Sequence, residues 1–188
     1  MPGQSPQSEP ETPVVAITDG KLQVTVPTRN GPATISRIQD TENVISGYWA
    51  RTSRPCPKSC IQQMRPVDGI VPIGELELLD MLCDAGALVL DSRTADWFED
   101  GSIPGAINLP FTEAADRLNE LGCRRDSDGW DCASAVTVAM FCNGPWCGQS
   151  PTAIRAMVAA GFPADRIHYY RDGMQGWHLL GLTTTRTA

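Results

Sequence analysis

The residues of this chain that are best suited to chemistry are its cysteines, of which there are seven. Cys142 follows the apolar run 136–141, which is typical of a buried strand, and it precedes a Gly-containing loop and a helix that we predict to begin at Ser150, with Ser150 as its N-cap. A cysteine placed there faces the helix N-terminus and the N–H groups of the loop, and both lower the pKa of a thiol. We predict that Cys142 is a nucleophile; the alternative is a small, buried strand-end residue.

The loop between this strand and this helix is the predicted substrate site. Its backbone N–H groups could hold an anionic substrate or a persulfide. Its tryptophan could wall the pocket or simply anchor the loop, and its second cysteine could attack a persulfide or merely pack beneath that tryptophan. The residues of this loop are Asn143, Gly144, Pro145, Trp146, Cys147, Gly148 and Gln149.

Three charged residues are candidates to support the loop. Asp91 and Arg93 follow the apolar run 87–90, so they could orient the loop, or they could form an ordinary ion pair at a strand end. Arg171 follows the last predicted strand and is the nearest candidate for a positive contact with substrate, although a solvated side chain is equally consistent with its position.

Four further cysteines lie in predicted loops. Cys123 and Cys132 bracket a polar excursion, and Cys56 and Cys60 lie in a proline-containing connector. Disulfides at both sites would indicate an oxidising compartment, whereas reduced residues would be loop thiols. The N-terminus carries no export signal, so we expect a periplasmic protein if Met1 is an added start on a mature chain, and a cytoplasmic one otherwise.

The elements that must position these residues form an α/β pattern. Residues 1–13 read as a disordered tail, and residues 14–66 as an extension that contains a β-hairpin of strands 22–26 and 33–38, joined at Asn30-Gly31. From residue 67 to 188, strands alternate with helices, which predicts a parallel sheet. We predict strands at 87–90, 106–109, 136–141 and 167–170, and helices at 74–82, 94–100, 112–121, 150–160 and 174–180.

Composition narrows the classes of function. The chain has 188 residues and a net charge of −7, with no dense Lys/Arg cluster, which argues against nucleic acid as a partner. No apolar run approaches the roughly 18 residues that span a bilayer. No pair of C-x₂-C motifs indicates structural zinc, and neither histidine has ligand-like neighbours, so we predict no metal, no organic cofactor and no Cys–His protease site.

Four motifs in order make residues 70–182 resemble the rhodanese-homology domain, in its bacterial single-domain type with an N-terminal extension. They are Leu88–Arg93, Glu99–Asn108, Phe141-Cys142 and Asp172–Trp177. The resemblance implies a doubly wound α/β fold and a cysteine persulfide. It implies a sulfurtransferase that moves sulfane sulfur from a small anionic donor such as thiosulfate to a thiol, a protein sulfur acceptor or cyanide.

The chain also departs from the family pattern. Ser102 stands where the family usually has His, and the loop from Cys142 to Ser150 is two residues longer than the C-x-x-G-x-R-S of many members. Gly148 stands where a rhodanese-fold phosphatase needs its phosphate-clamping Arg, which argues against phosphatase activity. Two alternatives stay open: a thiol–disulfide or sulfur-relay protein that uses Cys142 and Cys147, and a non-catalytic binding module.

Overall fold

The computed structural model describes residues 14–186, so the tail predicted for residues 1–13 lies outside the described residues. In chain order the strands are β1 (Gln23–Val26), β2 (Ala33–Ser36), β3 (Val71–Pro72), β4 (Ala87–Asp91), β5 (Ile107–Asn108), β6 (Arg124–Asp126), β7 (Gly129–Asp131), β8 (Thr137–Phe141) and β9 (Ile167–Tyr169). The α-helices are α1 (Glu75–Cys83), α2 (Ala95–Asp100), α3 (Gln149–Ala159) and α4 (Gly173–Leu179), and 3₁₀-helices span Leu118–Leu121 and Ala164–Arg166.

Five of the strands form one parallel sheet in the order β3-β9-β8-β4-β5. The two longest, β4 and β8, run side by side, with Asp91 opposite Phe141 at their carboxyl ends. The residues that follow these two strands therefore meet at one edge of the sheet, where open α/β folds bind their ligands.

Both faces of the sheet are buried, because alternate side chains of a strand point to opposite faces. Val138 and Met140 of β8 pack into one core with α3. Ala139 and Phe141 pack into a second core with α1, α4 and the β1–β2 hairpin. Because packed elements cover both faces of the parallel sheet, the predicted doubly wound arrangement is confirmed. The predicted antiparallel β1–β2 hairpin is confirmed as well.

Three local predictions are wrong. The helix predicted at 112–121 is a series of turns followed by a 3₁₀-helix, because Ala114, Leu118 and Leu121 can be buried by successive turns as well as by a continuous helix. The polar excursion folds as the β6–β7 hairpin. Ser150 does not cap α3: the helix begins one residue earlier, after Gly148, and buries the Ser150 side chain within its first turn.

The extension packs against the carboxyl edge of the sheet. Trp49 stacks on His178 of α4, with 4.8 Å between the ring centroids, and the N–H of Gln62 donates to the carbonyl of Pro145 at 2.8 Å. The extension therefore lies over the loop that begins at Cys142. Within residues 14–186, no helix combines the length and the apolar character that a membrane crossing requires.

Candidate active site

The loop that holds Cys142 and Cys147 is fixed by its neighbours. Its first carbonyls, those of Cys142 and Asn143, accept hydrogen bonds at 2.9 Å from the N–H groups of Met174 and Gln175 in α4. Gly173 allows this approach, because its φ is +53° and a Cβ there would collide with the Cys142 carbonyl. Helix α4 thus sets the direction in which the chain leaves β8.

Cys142 and Cys147 form a buried pair of thiols. Only 1% of Cys142 and 4% of Cys147 is exposed, and the Cys147 thiol donates to Oε1 of Gln149 at 3.6 Å. Burial, and then the interaction with Cys147, raise the pKa of the Cys142 thiol well above its usual range. The hydroxyl and N–H of Ser150 favour the Cys142 thiolate and offset part of this increase.

The pKa of the Cys147 thiol shifts in the opposite direction. Its interaction with the Cys142 side chain is the largest cause that lowers this pKa to about 7, and the N–H groups of Gln149 and Asn143 act in the same direction. The positive charge of Arg93 contributes as well. The loop N–H groups therefore favour a thiolate at Cys147, whereas the expectation of a low pKa at Cys142 is wrong, chiefly because that thiol is fully buried.

The rest of the loop is held in a defined shape. The Cys147 N–H donates to the Gly144 carbonyl at 2.9 Å, and the Cys142 thiol lies 3.4 Å from the Cys147 carbonyl. The Trp146 indole N–H donates to Oε1 of Gln175 at 2.6 Å. The loop residues therefore all lie at one site, enclosed by α4 on one side and by the extension on the other.

Asp91 and Arg93 form a fully buried ion pair behind the loop. The Arg93 guanidinium donates to the Asp91 carboxylate at 2.6–3.1 Å, to the Gly101 carbonyl at 2.7 Å and to Oδ1 of Asn143 at 3.5 Å. The Ser102 hydroxyl donates to the same carboxylate at 2.6 Å, so this departure from the family pattern supplies a carboxylate partner. Arg93 reaches the loop through Asn143.

Arg171, the third supporting candidate, contacts the extension. Its Nη1 donates to the Gln62 carbonyl at 3.4 Å, and its Nε lies 3.8 Å from Asp172. These contacts connect the end of β9 to the segment that covers the loop. They do not involve either thiol.

The four cysteines that the sequence analysis placed in loops form two disulfides in the structure. Cys56 joins Cys60, with their Cα atoms 4.7 Å apart, in the segment of the extension next to the loop. Cys123 joins Cys132, with their Cα atoms 4.2 Å apart, at the base of the β6–β7 hairpin and away from the thiol pair.

Sequence reasoning missed two contributors to the site. Ser150 was expected only as a helix cap, yet its hydroxyl lies against the Cys142 sulfur and has no other hydrogen-bond partner within residues 14–186. Arg54 of the extension stacks on Trp146, with its guanidinium carbon 3.9 Å from the ring centroid. The available signal was charge: residues 43–67 contain four basic residues and no acidic one.

Part of this chain is similar in sequence to known proteins. Residues 75–180 match the family model of the rhodanese-like domain. An HTH-type transcriptional regulator from Mycobacterium tuberculosis is 38% identical over 100 residues, which are 53% of this chain and only 38% of that protein.

Two solved structures are similar to this chain at lower sequence identity. A thiosulfate sulfurtransferase from Pseudomonas aeruginosa is 26% identical with a TM-score of 0.47, over 63% of this chain and 21% of that one. A rhodanese-like domain from Anabaena is 21% identical with a TM-score of 0.40, over 52% of this chain and 97% of that one.

Proposed function

Because this chain belongs to the rhodanese-like domain family, which is a sulfurtransferase superfamily, we propose that it moves sulfane sulfur from a donor such as thiosulfate to a thiol or cyanide through a persulfide on Cys142. One observation carries the proposal: two buried free thiols, one of them with a pKa of about 7, lie in the loop between a parallel strand and a helix N-terminus. A thiolate is the nucleophile in such chemistry, and a nearby base can generate it.

In the first step, Cys142 is the nucleophile and Cys147 is the base. The proton of the Cys142 thiol moves to the neighbouring Cys147 thiolate. The Cys142 sulfur forms a bond to the outer sulfur of thiosulfate, the sulfur–sulfur bond of thiosulfate breaks, and sulfite leaves with the electron pair. Cys142 then carries a persulfide anion, which the N–H and hydroxyl of Ser150 stabilise.

In the second step, the acceptor removes the outer sulfur. An acceptor thiolate or cyanide attacks the terminal sulfur of the persulfide, the bond to Cys142 breaks, and the Cys142 thiolate recovers its proton from Cys147. The acceptor leaves as a persulfide or as thiocyanate. No net oxidation occurs, and the buried Asp91–Arg93 pair keeps the loop in place through Asn143.

The same thiol pair supports a second candidate function, that of a sulfur relay. The Cys147 thiolate could attack the inner sulfur of the persulfide on Cys142, which would release hydrosulfide and leave a Cys142–Cys147 disulfide. An external thiol would then reduce this disulfide before another cycle. The observation that favours this route is that both thiols are free and buried in the same loop, where the Cys142 thiol donates to the Cys147 carbonyl at 3.4 Å.

Mass spectrometry of the intact protein after treatment with thiosulfate separates these functions. Sulfur transfer adds the mass of one sulfur atom and releases one sulfite per chain, whereas the relay ends in the loss of two hydrogens and the release of hydrosulfide. Both products require Cys142, so the Cys142→Ser variant should give neither. A protein that acquires no sulfur under any of these conditions would contradict the proposed function and would favour a binding module.

A further inference from the structure

The extension and the thiol-bearing loop together form a groove of about 700 Å³. Ligand sites for small molecules typically measure about 300–1,000 Å³. The extension lies outside the segment that matches the family model, so one wall of this groove does not come from the shared domain. The residues that define the groove are Arg51, Arg54 and Ile61 of the extension, Pro145 and Trp146 of the loop, and Gln175 of α4.

The charge of the groove differs from that of the whole chain. The chain has a net charge of −7, yet residues 43–67 carry four basic side chains and no acidic one. Two of these, Arg51 and Arg54, line the groove, and its lining contains no carboxylate within the described part of the chain. A positive groove on an acidic protein concentrates anions locally.

Arg54 is held in place with donors to spare. Its guanidinium carbon lies 3.9 Å from the ring centroid of Trp146 and 4.3 Å from that of Tyr48, and its Nη2 donates to the Tyr48 carbonyl at 2.7 Å. Its unpartnered Nε is buried, whereas its Nη1 is not among the buried atoms and makes no hydrogen bond within residues 14–186. A guanidinium that is already oriented, with an unused N–H group that is not buried, is suited to bind a carboxylate.

We propose that this groove binds the sulfur acceptor, and that the acceptor is a carboxylate-bearing thiol considerably larger than thiosulfate; this inference rests on the proposed function. Thiosulfate, with five heavy atoms, would leave most of the groove empty. The acceptor carboxylates bind Arg54 and Arg51, its thiolate attacks the terminal sulfur of the Cys142 persulfide, and the bond to Cys142 breaks. The groove reaches the loop at Pro145 and Trp146, which lie between Cys142 and Cys147 in the chain, so a bound acceptor contacts the loop that carries both thiols.

Binding can be tested without catalysis. Titration calorimetry of the full chain with S-methylglutathione, an anionic tripeptide whose sulfur is blocked, should show binding. Arg54→Gln should weaken it about tenfold, in keeping with the loss of a charge-assisted hydrogen bond, and Arg51→Gln should weaken it less. Lys58→Gln is the matched control, because Lys58 lies in the same basic segment but does not line the groove, and it should stay within about twofold. Equal affinity in Arg54→Gln and the parent, or no binding at all, would overturn the proposal.

Discharge of the persulfide gives the second readout. Protein loaded with thiosulfate should transfer sulfur to glutathione faster than to the neutral 2-mercaptoethanol, and Arg54→Gln should slow only the reaction with glutathione. Equal slowing of both thiols would contradict a role in acceptor recognition. If thiosulfate leaves no persulfide on Cys142, the proposed function fails, while the titration still decides whether the groove binds the anion.

Discussion

Two cysteine pairs of nearly the same spacing have different fates in this molecule. Cys56 and Cys60 are four residues apart and form a disulfide in an exposed segment, whereas Cys142 and Cys147 are five apart and remain buried thiols. Spacing permits a bond in both cases. The difference shows that the surrounding backbone, rather than the number of intervening residues, determines which pair closes.

The physical reason lies in what holds each segment. The carbonyls of Cys142, Asn143 and Pro145 all accept hydrogen bonds from outside the loop, so these contacts oppose a contraction of the loop that would join its sulfurs. Residues 56–60 belong to no strand or helix, and a turn from Pro55 to Ser59 brings the two cysteines together. One pair is held as buried thiols by its neighbours, and the other pair crosslinks the segment that covers the loop.

The largest expected effect comes from replacing Cys142, the proposed nucleophile. Cys142→Ser should lower thiosulfate-dependent sulfur transfer by about 10³-fold or more, because the hydroxyl cannot form the persulfide. The melting temperature should stay close to that of the parent. Steady-state rates and thermal melts on the same preparation provide the measurement, and an active variant would move the nucleophile to Cys147.

A large loss of folding stability should follow when the buried Asp91–Arg93 ion pair is removed. Arg93→Ala leaves the Asp91 carboxylate buried without its guanidinium, which we expect to cost about 3–5 kcal/mol of the free energy of unfolding. Arg171→Ala, at a half-buried position with weaker contacts, should cost no more than about 1 kcal/mol. Urea denaturation measures both. An unchanged stability with a large loss of rate would instead make Arg93 a substrate-binding residue.

The contrast also shows where sequence reasoning succeeds and where it fails. The order of strands and helices and the position of Cys142 could be predicted, because buried strands and the helix after Gly148 leave local patterns. The charge state of the thiols could not: it depends on burial and on a contact across the loop, which five residues of sequence do not encode. The basic groove was missed because its walls come from segments that are far apart in the chain.

The base of the proposed mechanism predicts a pH profile. Cys147 accepts a proton only as a thiolate, so the rate of persulfide formation should rise as pH increases through about 7 and then level off. Cys147→Ser should still form the persulfide, but about 10²-fold more slowly at pH 7, with its inflection at higher pH because burial raises the pKa of Cys142. Rapid-quench mass spectrometry across this range measures the rates. Identical profiles would show that Cys147 is not the base of this step.

The smallest effect on persulfide formation should come from removing the disulfide of the extension. The double variant Cys56→Ser, Cys60→Ser enlarges the unfolded ensemble by releasing a short loop, and the chain-entropy model gives a loss of about 2 kcal/mol; the longer Cys123–Cys132 loop gives about 3 kcal/mol. Cys83→Ser, which removes an exposed free thiol, is the control and should change stability by no more than about 0.5 kcal/mol.

Persulfide formation should persist in the double variant, because the hydrogen bonds from α4 to the loop are untouched. Transfer of sulfur to glutathione should become slower, since Pro55 and Ser59, the chain neighbours of Cys56 and Cys60, line the groove. If persulfide formation is lost instead, the disulfide of the extension is needed to position Cys142 and Cys147. The two cysteine pairs would then not have separate roles.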